Sequence, residues 1–299
     1  MDRSLEPGST PSGRSAPSAP TSTEPGGDRG APSHDPRRPP GARQEYEAWL
    51  FGPFRVHRGG APLGDPRGGR ATARTLLKWF LLNPRQEFRD SELAEVLWPG
   101  CTANRANRLH VTQHSLRRVL EPELASRQPS RFIRSDPTGR YWFDPSDCWW
   151  TDVDDAAALS KTACAARRAG DTAAAVTAYE RLLAYYDQGF LPEEVYRDAF
   201  APFRAAHERG HEETLLQLLR LHRRAGHLYE ALTCALRILD RDPYAEEAAT
   251  AAVEIHLEQG SLTGAVSQLE QFIRTLRDDL GVAPSGELLA LRERVRHAR

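Results

Sequence analysis

Apolar and polar residues alternate or recur at regular intervals between residues 49 and 143, and their spacing predicts a series of short elements. The stretch from Trp49 to His57 is typical of a β-strand. Apolar residues at helical spacing then predict three helices, over Ala73–Leu82, Asp90–Trp98 and Thr102–Leu120. Two further runs, separated by turn residues, predict a β-hairpin with strands Arg131–Arg134 and Arg140–Phe143.

The third predicted helix has two very different sides. Its apolar side carries Leu109, Leu116 and Leu120, and its opposite side carries Asn104, Asn107, Val111, His114 and Arg118. The charged residues of this helix are all arginines: Arg105, Arg108, Arg117 and Arg118. A surface that offers cations and hydrogen-bonding groups but no carboxylate suits a polyanion. The order of elements therefore predicts an α+β winged helix-turn-helix domain over residues 44–147, with this helix in the major groove of DNA.

The chain after residue 151 has a different pattern, rich in alanine and leucine and without a convincing strand. A glycine followed five positions later by an alanine occurs three times, at Gly170 and Ala175, Gly226 and Ala231, and Gly260 and Ala265. The last two glycines are 34 residues apart, the period of tetratricopeptide repeats. We predict an all-α, tetratricopeptide-like helical repeat domain over residues 151–299, with a long helix from Glu193 to Ala225.

Composition separates a third region and locates the positive charge. Residues 1–43 contain 25 Pro, Gly, Ser or Thr, and only Met1 and Leu5 are large and apolar. Such a segment cannot form a core, so we predict a disordered tail. The formal net charge of the chain is −1, but the segment from Arg70 to Arg140 has a surplus of six positive charges. Positive charge is thus concentrated around the predicted DNA-binding helix.

Cysteine usage and hydropathy indicate where the protein works. The four cysteines are widely scattered and form no Cys-x-x-Cys pair, which favours reduced thiols. The amino terminus has no apolar signal region, and no run of about 18 uncharged apolar residues occurs. We therefore expect a cytoplasmic protein without a membrane partner.

Specific segments in both parts of the chain resemble one family. In the first part they are Leu97–Pro99, Ala106–Thr112 and Leu116–Leu120; in the second they are Gly189–Pro192, Asp242–Pro243 and Leu280–Pro284. Together they resemble the SARP family, the Streptomyces antibiotic regulatory proteins, over Trp49–Arg299. Gln113 departs from the family pattern, because that position is usually apolar.

The resemblance implies an OmpR-type winged helix followed by a bacterial transcriptional activator domain. It further implies binding to direct repeats in promoters of secondary-metabolite biosynthetic genes, recruitment of the RNA polymerase holoenzyme, and a homodimer on double-stranded DNA. It implies no cofactor. We predict base-edge contacts from Asn107, Arg108, Val111, Thr112 and Ser115. We predict phosphate contacts from Arg74, Arg105, His114, Arg117, Arg118 and Arg140.

Two alternatives belong to other functional classes. One is a helical-repeat adaptor whose winged helix contacts protein instead of DNA. The other is a zinc hydrolase, since the run from His207 to His211 matches the His-Glu-x-x-His motif. No third histidine follows at the offset required in metzincins, and Gly210 weakens the helix, so we interpret this run as a solvated helix face. His110 and His114 have the same spacing but lack a third ligand, and we expect them to contact DNA. No nucleotide-binding loop or nucleophile elbow occurs, and we therefore predict neither enzyme activity nor a metal site.

Overall fold

A computed structural model describes residues 44–63, 70–101, 103–125 and 128–297. The predicted tail, residues 1–43, lies outside these described residues. The strands are β1 Tyr46–Trp49, β2 Arg55–Arg58, β3 Ala61–Pro62, β4 Phe88–Arg89, β5 Ile133–Ser135, β6 Arg140–Phe143 and β7 Trp149–Thr151. The helices are α1 Arg70–Leu82, α2 Asp90–Leu97, α3 Arg105–Leu120, α4 Asp152–Ala169, α5 Thr172–Tyr186, α6 Ala201–Ala225, α7 Leu228–Arg241, α8 Glu246–Glu258, α9 Leu262–Leu280 and α10 Gly286–His297.

Residues 44–151, here called the sheet-and-helix half, contain two small sheets and helices α1 to α3. The first sheet has the strand order β3-β2-β1-β7, in which β7 lies parallel to β1. The second has the order β4-β6-β5, and Ile133 on β5 pairs with Phe143 on β6. The predicted hairpin is therefore present. Trp149 on β7 stacks on Tyr46 with ring centroids 4.6 Å apart, so the packing of this half includes residues beyond 147.

The single strand predicted over Trp49–His57 is wrong, because the chain turns back within it. Strand β1 ends at Trp49, and β2 begins at Arg55 and pairs with it antiparallel. Gly52 lies in this turn with φ of 75°, a conformation that favours glycine, and Pro53 follows it. Apolar residues on both sides of a tight turn give the same sequence pattern as one continuous strand.

Residues 152–297, here called the helical half, form successive helix hairpins. Gly170 and Gly226 adopt left-handed conformations at the carboxyl ends of α4 and α6, and Gly260 does so just after α8. The alanine five residues after each glycine is fully buried in the next helix: Ala175, Ala231 and Ala265. Small residues at these positions let paired helices approach closely. The glycine and alanine register thus marks three helix hairpins, α4/α5, α6/α7 and α8/α9.

The long helix predicted from Glu193 is wrong at its start, since α6 begins at Ala201. Two short 3-10 turns, Pro192–Glu194 and Asp198–Phe200, precede it. The intervening residues contact the sheet-and-helix half, a long-range interaction that helical spacing cannot reveal. Across the described ranges, every helix is too short or too polar to cross a lipid bilayer.

Candidate nucleic-acid interface

Helix α3 is held by its leucine side and presents its polar side to solvent. Leu109, Leu116 and Leu120 are buried, as the helical spacing predicts. The hydroxyl of Tyr46 on β1 donates to the carbonyl oxygen of Leu120 at 2.5 Å. Burial raises the pKa of Tyr46 to about 12, so the hydroxyl keeps its proton and remains a donor. These contacts fix which side of α3 faces outward.

The residues predicted to contact base edges are divided between the two sides of α3. Asn107, Arg108 and Val111 are exposed, and Ser115 is half-buried. Val111 is 62% exposed, so an apolar side chain stands in the middle of an otherwise polar surface. Such a side chain can contact the methyl group of thymine.

Thr112 lies on the buried side instead and is only 6% exposed. Its hydroxyl donates to the carbonyl oxygen of Arg108 at 2.8 Å. Helical spacing already signals this position, because Thr112 follows Leu109 by three residues and precedes Leu116 by four. Gln113 is buried as well, so its departure from the family pattern concerns packing and not the outer surface.

Arg108 is positioned by the loop that precedes α3. Its guanidinium lies over the Trp98 ring, 4.3 Å from the centroid, and donates to Cys101 Sγ at 3.3 Å. Stacking on an aromatic face restrains the side chain without neutralising its charge. Arg108 therefore keeps a full positive charge at the exposed side of the helix.

The residues predicted to contact phosphates differ in whether their side chains already have partners within the protein. His114 and Arg118 are exposed. Arg105 pairs with Glu95 at 2.8 Å and Arg140 with Glu87 at 2.9 Å, both in exposed ion pairs. The guanidinium of Arg74 donates to the carbonyl oxygen of Phe54 at 2.6 Å, and that of Arg117 to Ile133 at 3.4 Å. Exposed ion pairs contribute little to stability, so phosphate can replace the carboxylate partners of Arg105 and Arg140.

A cleft of about 710 Å³ between the end of α3 and strand β5 brings basic residues together. His114, Arg117 and Arg118 line it from the helix, and Arg134 lines it from β5. The Glu121 carboxylate also lines it, but accepts hydrogen bonds from Ser130 and from the Arg131 backbone within the fold. Arg134 was not among the residues predicted from the sequence to contact phosphates. The available signal was strand alternation, which exposes Arg134 beside the buried Ile133.

The two histidines of the His-Glu-x-x-His run on α6 pack against neighbouring side chains, so the interpretation of this run as a solvated face is wrong. The His207 ring lies 4.1 Å from the ring centroid of Phe190 and 5.0 Å from that of Phe51. Burial lowers the pKa of His207 to about 4, so the ring is neutral at pH 7. His211 is buried, with its Nε2 atom 3.1 Å from Asp187 Oδ1.

Gly210 in the same run has no side chain and so leaves space for the neighbouring Tyr186. A Cβ atom at this position would lie 2.6 Å from the hydroxyl oxygen of Tyr186. The run is thus explained by packing around Phe51, Phe190 and Tyr186. Within the residues that the structure describes, no group of three or more His, Cys, Asp or Glu side chains is arranged to hold a metal ion.

Comparison with known families identifies the helical half. Residues 151–296 match the family model described as "Bacterial transcriptional activator domain". The helical half is such a domain. The match confirms the activator-domain part of the resemblance to the SARP family.

A solved structure shares the fold across both halves. The structure of Mycobacterium tuberculosis EmbR in complex with a low-affinity phosphopeptide aligns with a TM-score of 0.70 at 19% sequence identity. The alignment covers 86% of this chain and 66% of that one, so this chain spans just under two thirds of EmbR. No curated protein sequence matches the chain significantly. The EmbR match supports a sheet-and-helix region followed by a long helical domain.

Proposed function

We propose that this chain is a sequence-specific DNA-binding transcriptional activator. In this proposal the sheet-and-helix half is a winged helix-turn-helix, α3 enters the major groove, and the β5–β6 hairpin lies along the phosphate backbone. The observation that carries the proposal is the exposed side of α3, which is basic and free of carboxylates. The same chain continues into a bacterial transcriptional activator domain. Asn107, Arg108, Val111 and Ser115 contact base edges.

The phosphate contacts in this proposal come from the cleft and from the arginines around it. His114, Arg118 and Arg134 contact phosphates directly, with Arg117 at the base of the cleft. Arg105 and Arg140 exchange their carboxylate partners for phosphate. Arg74 remains in the phosphate set, although it also holds the Phe54 carbonyl oxygen.

Two chains bind direct repeats in promoters of secondary-metabolite genes, and the helical half recruits RNA polymerase. One winged helix contacts only a few base pairs, so a second copy on an adjacent repeat supplies affinity. Stacked helix hairpins present an extended surface that suits a large protein partner. In this proposal the protein is a cytoplasmic regulator without enzyme activity.

DNA binding is tested with the whole chain and a duplex recovered from co-purifying DNA. Fluorescence anisotropy should show that log K falls with log salt, at a slope of about −0.9 per phosphate contact. Arg118→Ala should weaken binding to all duplexes and reduce the slope by about one contact. Arg108→Ala should also relax base preference, by about 1 to 3 kcal/mol for a bidentate contact.

Arg224→Ala, an exposed arginine on α6, serves as the control and should change nothing. Binding that is indifferent to salt and to all three substitutions would contradict the proposal. That result would favour the helical-repeat adaptor, whose winged helix contacts protein.

The dimer on direct repeats is tested by changing the distance between the repeats. Inserting about 5 base pairs turns the second site to the opposite face of the duplex, so cooperative binding should collapse. Inserting about 10 base pairs restores the face and should partly restore cooperativity. Cooperative binding that ignores this phase would contradict the dimer.

A further inference from the structure

The segment after α5, residues 189–197, crosses from the helical half to the sheet-and-helix half. The Gly52 backbone N–H donates to the carbonyl oxygen of Gly189 at 2.8 Å, and the Leu191 N–H donates to that of Leu50 at 3.0 Å. Phe51 and Phe190 form an isolated antiparallel bridge between these hydrogen bonds. The segment thus adds a short length of backbone pairing to the chain that follows β1. We call residues 189–197 the clamp segment.

The clamp segment next forms a buried ion pair with helix α1. Lys78 Nζ lies 2.8 Å from the Glu194 carboxylate and 2.9 Å from that of Glu193. The side chains of Lys78 and Glu194 are only 3% and 7% exposed. The Thr75 hydroxyl also donates to Glu194, at 3.1 Å. Breaking a buried pair by removing one partner strands a charge away from water, so this contact is costly to lose.

The clamp segment finally reaches helix α2. The Arg197 guanidinium donates to the carbonyl oxygen of Leu97 at 3.1 Å, at the carboxyl end of α2. The same side chain lies 2.8 Å from the second carboxylate oxygen of Glu194. Glu194 and Arg197 therefore connect α1 and α2, and both of these helices pack against α3. The chain enters the loop before α3 directly after Leu97.

We infer that the clamp segment makes the two halves one cooperative unit and sets the orientation of α3 relative to the helical half. Lys78, Glu194 and Arg197 are the positioning residues of this unit. They lie away from the exposed side of α3 and act through α1 and α2. The consequence for a DNA-bound regulator is that the surface offered to a protein partner has a fixed direction relative to the DNA.

The distribution of tryptophan provides a direct test by urea unfolding of the whole chain. All six tryptophans lie at or before Trp150, so their fluorescence reports on the sheet-and-helix half. Far-UV circular dichroism reports mainly on the helical half, which holds seven of the helices, α4 to α10. In the unmodified chain we expect both signals to change at the same urea concentration, since coincident transitions indicate one cooperative unit.

Glu194→Ala should separate the two transitions. The fluorescence midpoint should fall below the circular dichroism midpoint by about 1 M urea, because the buried Lys78 then keeps only the more exposed Glu193 as its partner and destabilises only its own half once the coupling is weakened. Glu121→Ala is the matched control, since Glu121 is equally buried and, among the residues that the structure describes, hydrogen bonds to Ser130 and Arg131 within the sheet-and-helix half. That variant should lower both midpoints together.

Arg197→Met provides a milder variant, since that side chain is partly exposed. Arg197→Met should separate the two unfolding midpoints in the same direction but by less. It can be measured even if Glu194→Ala fails to accumulate as folded protein. The inference is overturned if the unmodified chain already shows two transitions, or if Glu194→Ala and Arg197→Met lower both midpoints equally, as Glu121→Ala does. These measurements contain no DNA, so their outcome is independent of the proposed function.

Discussion

Helices α3 and α6 each carry two histidines four residues apart, and the structure places these pairs in opposite surroundings. His110 and His114 on α3 are exposed, beside arginines and without a carboxylate on their helix. On α6, His207 packs against Phe190 and Phe51, and His211 lies against Asp187. Arginines on both helices form ion pairs, Arg105 of α3 with Glu95 and Arg220 and Arg223 of α6 with Glu247 and Glu254.

The comparison shows that spacing alone does not assign a function to a pair of histidines. An i, i+4 pair lies on one side of a helix in both cases, but the neighbouring elements decide what that side contacts. On α6 the neighbouring side chains are aromatic rings and carboxylates, and the imidazoles pack against them. On α3 the neighbours leave cations and polar groups open to solvent. The following predictions test this difference, from the largest expected effect to the smallest.

Charge reversal on the α3 pair should give the largest effect. His110→Glu with His114→Glu places two carboxylates opposite phosphates, so DNA affinity should fall on the order of 100-fold. The urea midpoint of the free protein should stay unchanged, because both side chains are exposed. The neutral control, His110→Gln with His114→Gln, should weaken binding only a few-fold in the same anisotropy assay. Equal affinities for all three proteins would remove this side of α3 from the interface.

The partly buried His207 should make stability depend on pH. Its pKa is lowered to about 4 from the ordinary 6.5, so below pH 6.5 the unfolded chain binds a proton that the folded chain excludes. His207 therefore leaves the free energy of unfolding at its highest above pH 6.5. That free energy falls by up to about 1.4 kcal/mol per pH unit as the pH decreases toward 4.

His207→Phe retains an aromatic ring that does not titrate. The loss of unfolding free energy between pH 6.5 and pH 5 should be smaller by about 2 kcal/mol in this variant. Urea titrations at the two pH values measure it, and His297→Phe, at an exposed position, is the control. An unchanged pH dependence in His207→Phe would show that the imidazole is already accessible in the folded chain.

Gly210→Ala should destabilise the protein, although alanine is normally the better residue within a helix. The added Cβ would lie 2.6 Å from the Tyr186 hydroxyl oxygen, and the resulting overpacking outweighs the helical preference by about 1 kcal/mol. In a Tyr186→Phe background the same substitution should cost less, since the contacting oxygen is gone. Gly286→Ala is the control, because its Cβ would meet open space. A gain in stability at Gly210 would mean that Tyr186 moves freely.

Zinc should have no effect on the unfolding midpoint. The His207 and His211 rings are engaged by Phe190 and Asp187, so binding a metal would require repacking. Elemental analysis should find no stoichiometric zinc in the purified protein. About one zinc per chain, lost in His207→Ala with His211→Ala, would overturn this interpretation.

Several features of the fold could be predicted because they are local. The leucines of α3 and the paired strands β5 and β6 follow from helical spacing and from apolar runs on either side of a turn. The register of glycine and alanine in the helical half follows from helix capping and close packing. The same local reasoning, applied more strictly, would have placed Thr112 with the leucines and Arg134 on an exposed side of β5.

The sequence by itself determined which side of each helix is apolar, where helices end, and that one basic helix lacks carboxylates, because these properties depend on neighbours within a few residues. Only the tertiary structure decided that Lys78 meets Glu194, 116 residues away, and that β7 pairs with β1. It also decided that one histidine pair packs against aromatic and acidic side chains and that the other is exposed. Such pairings depend on where the chain returns in space, and burial then makes an ordinary lysine and glutamate costly to separate.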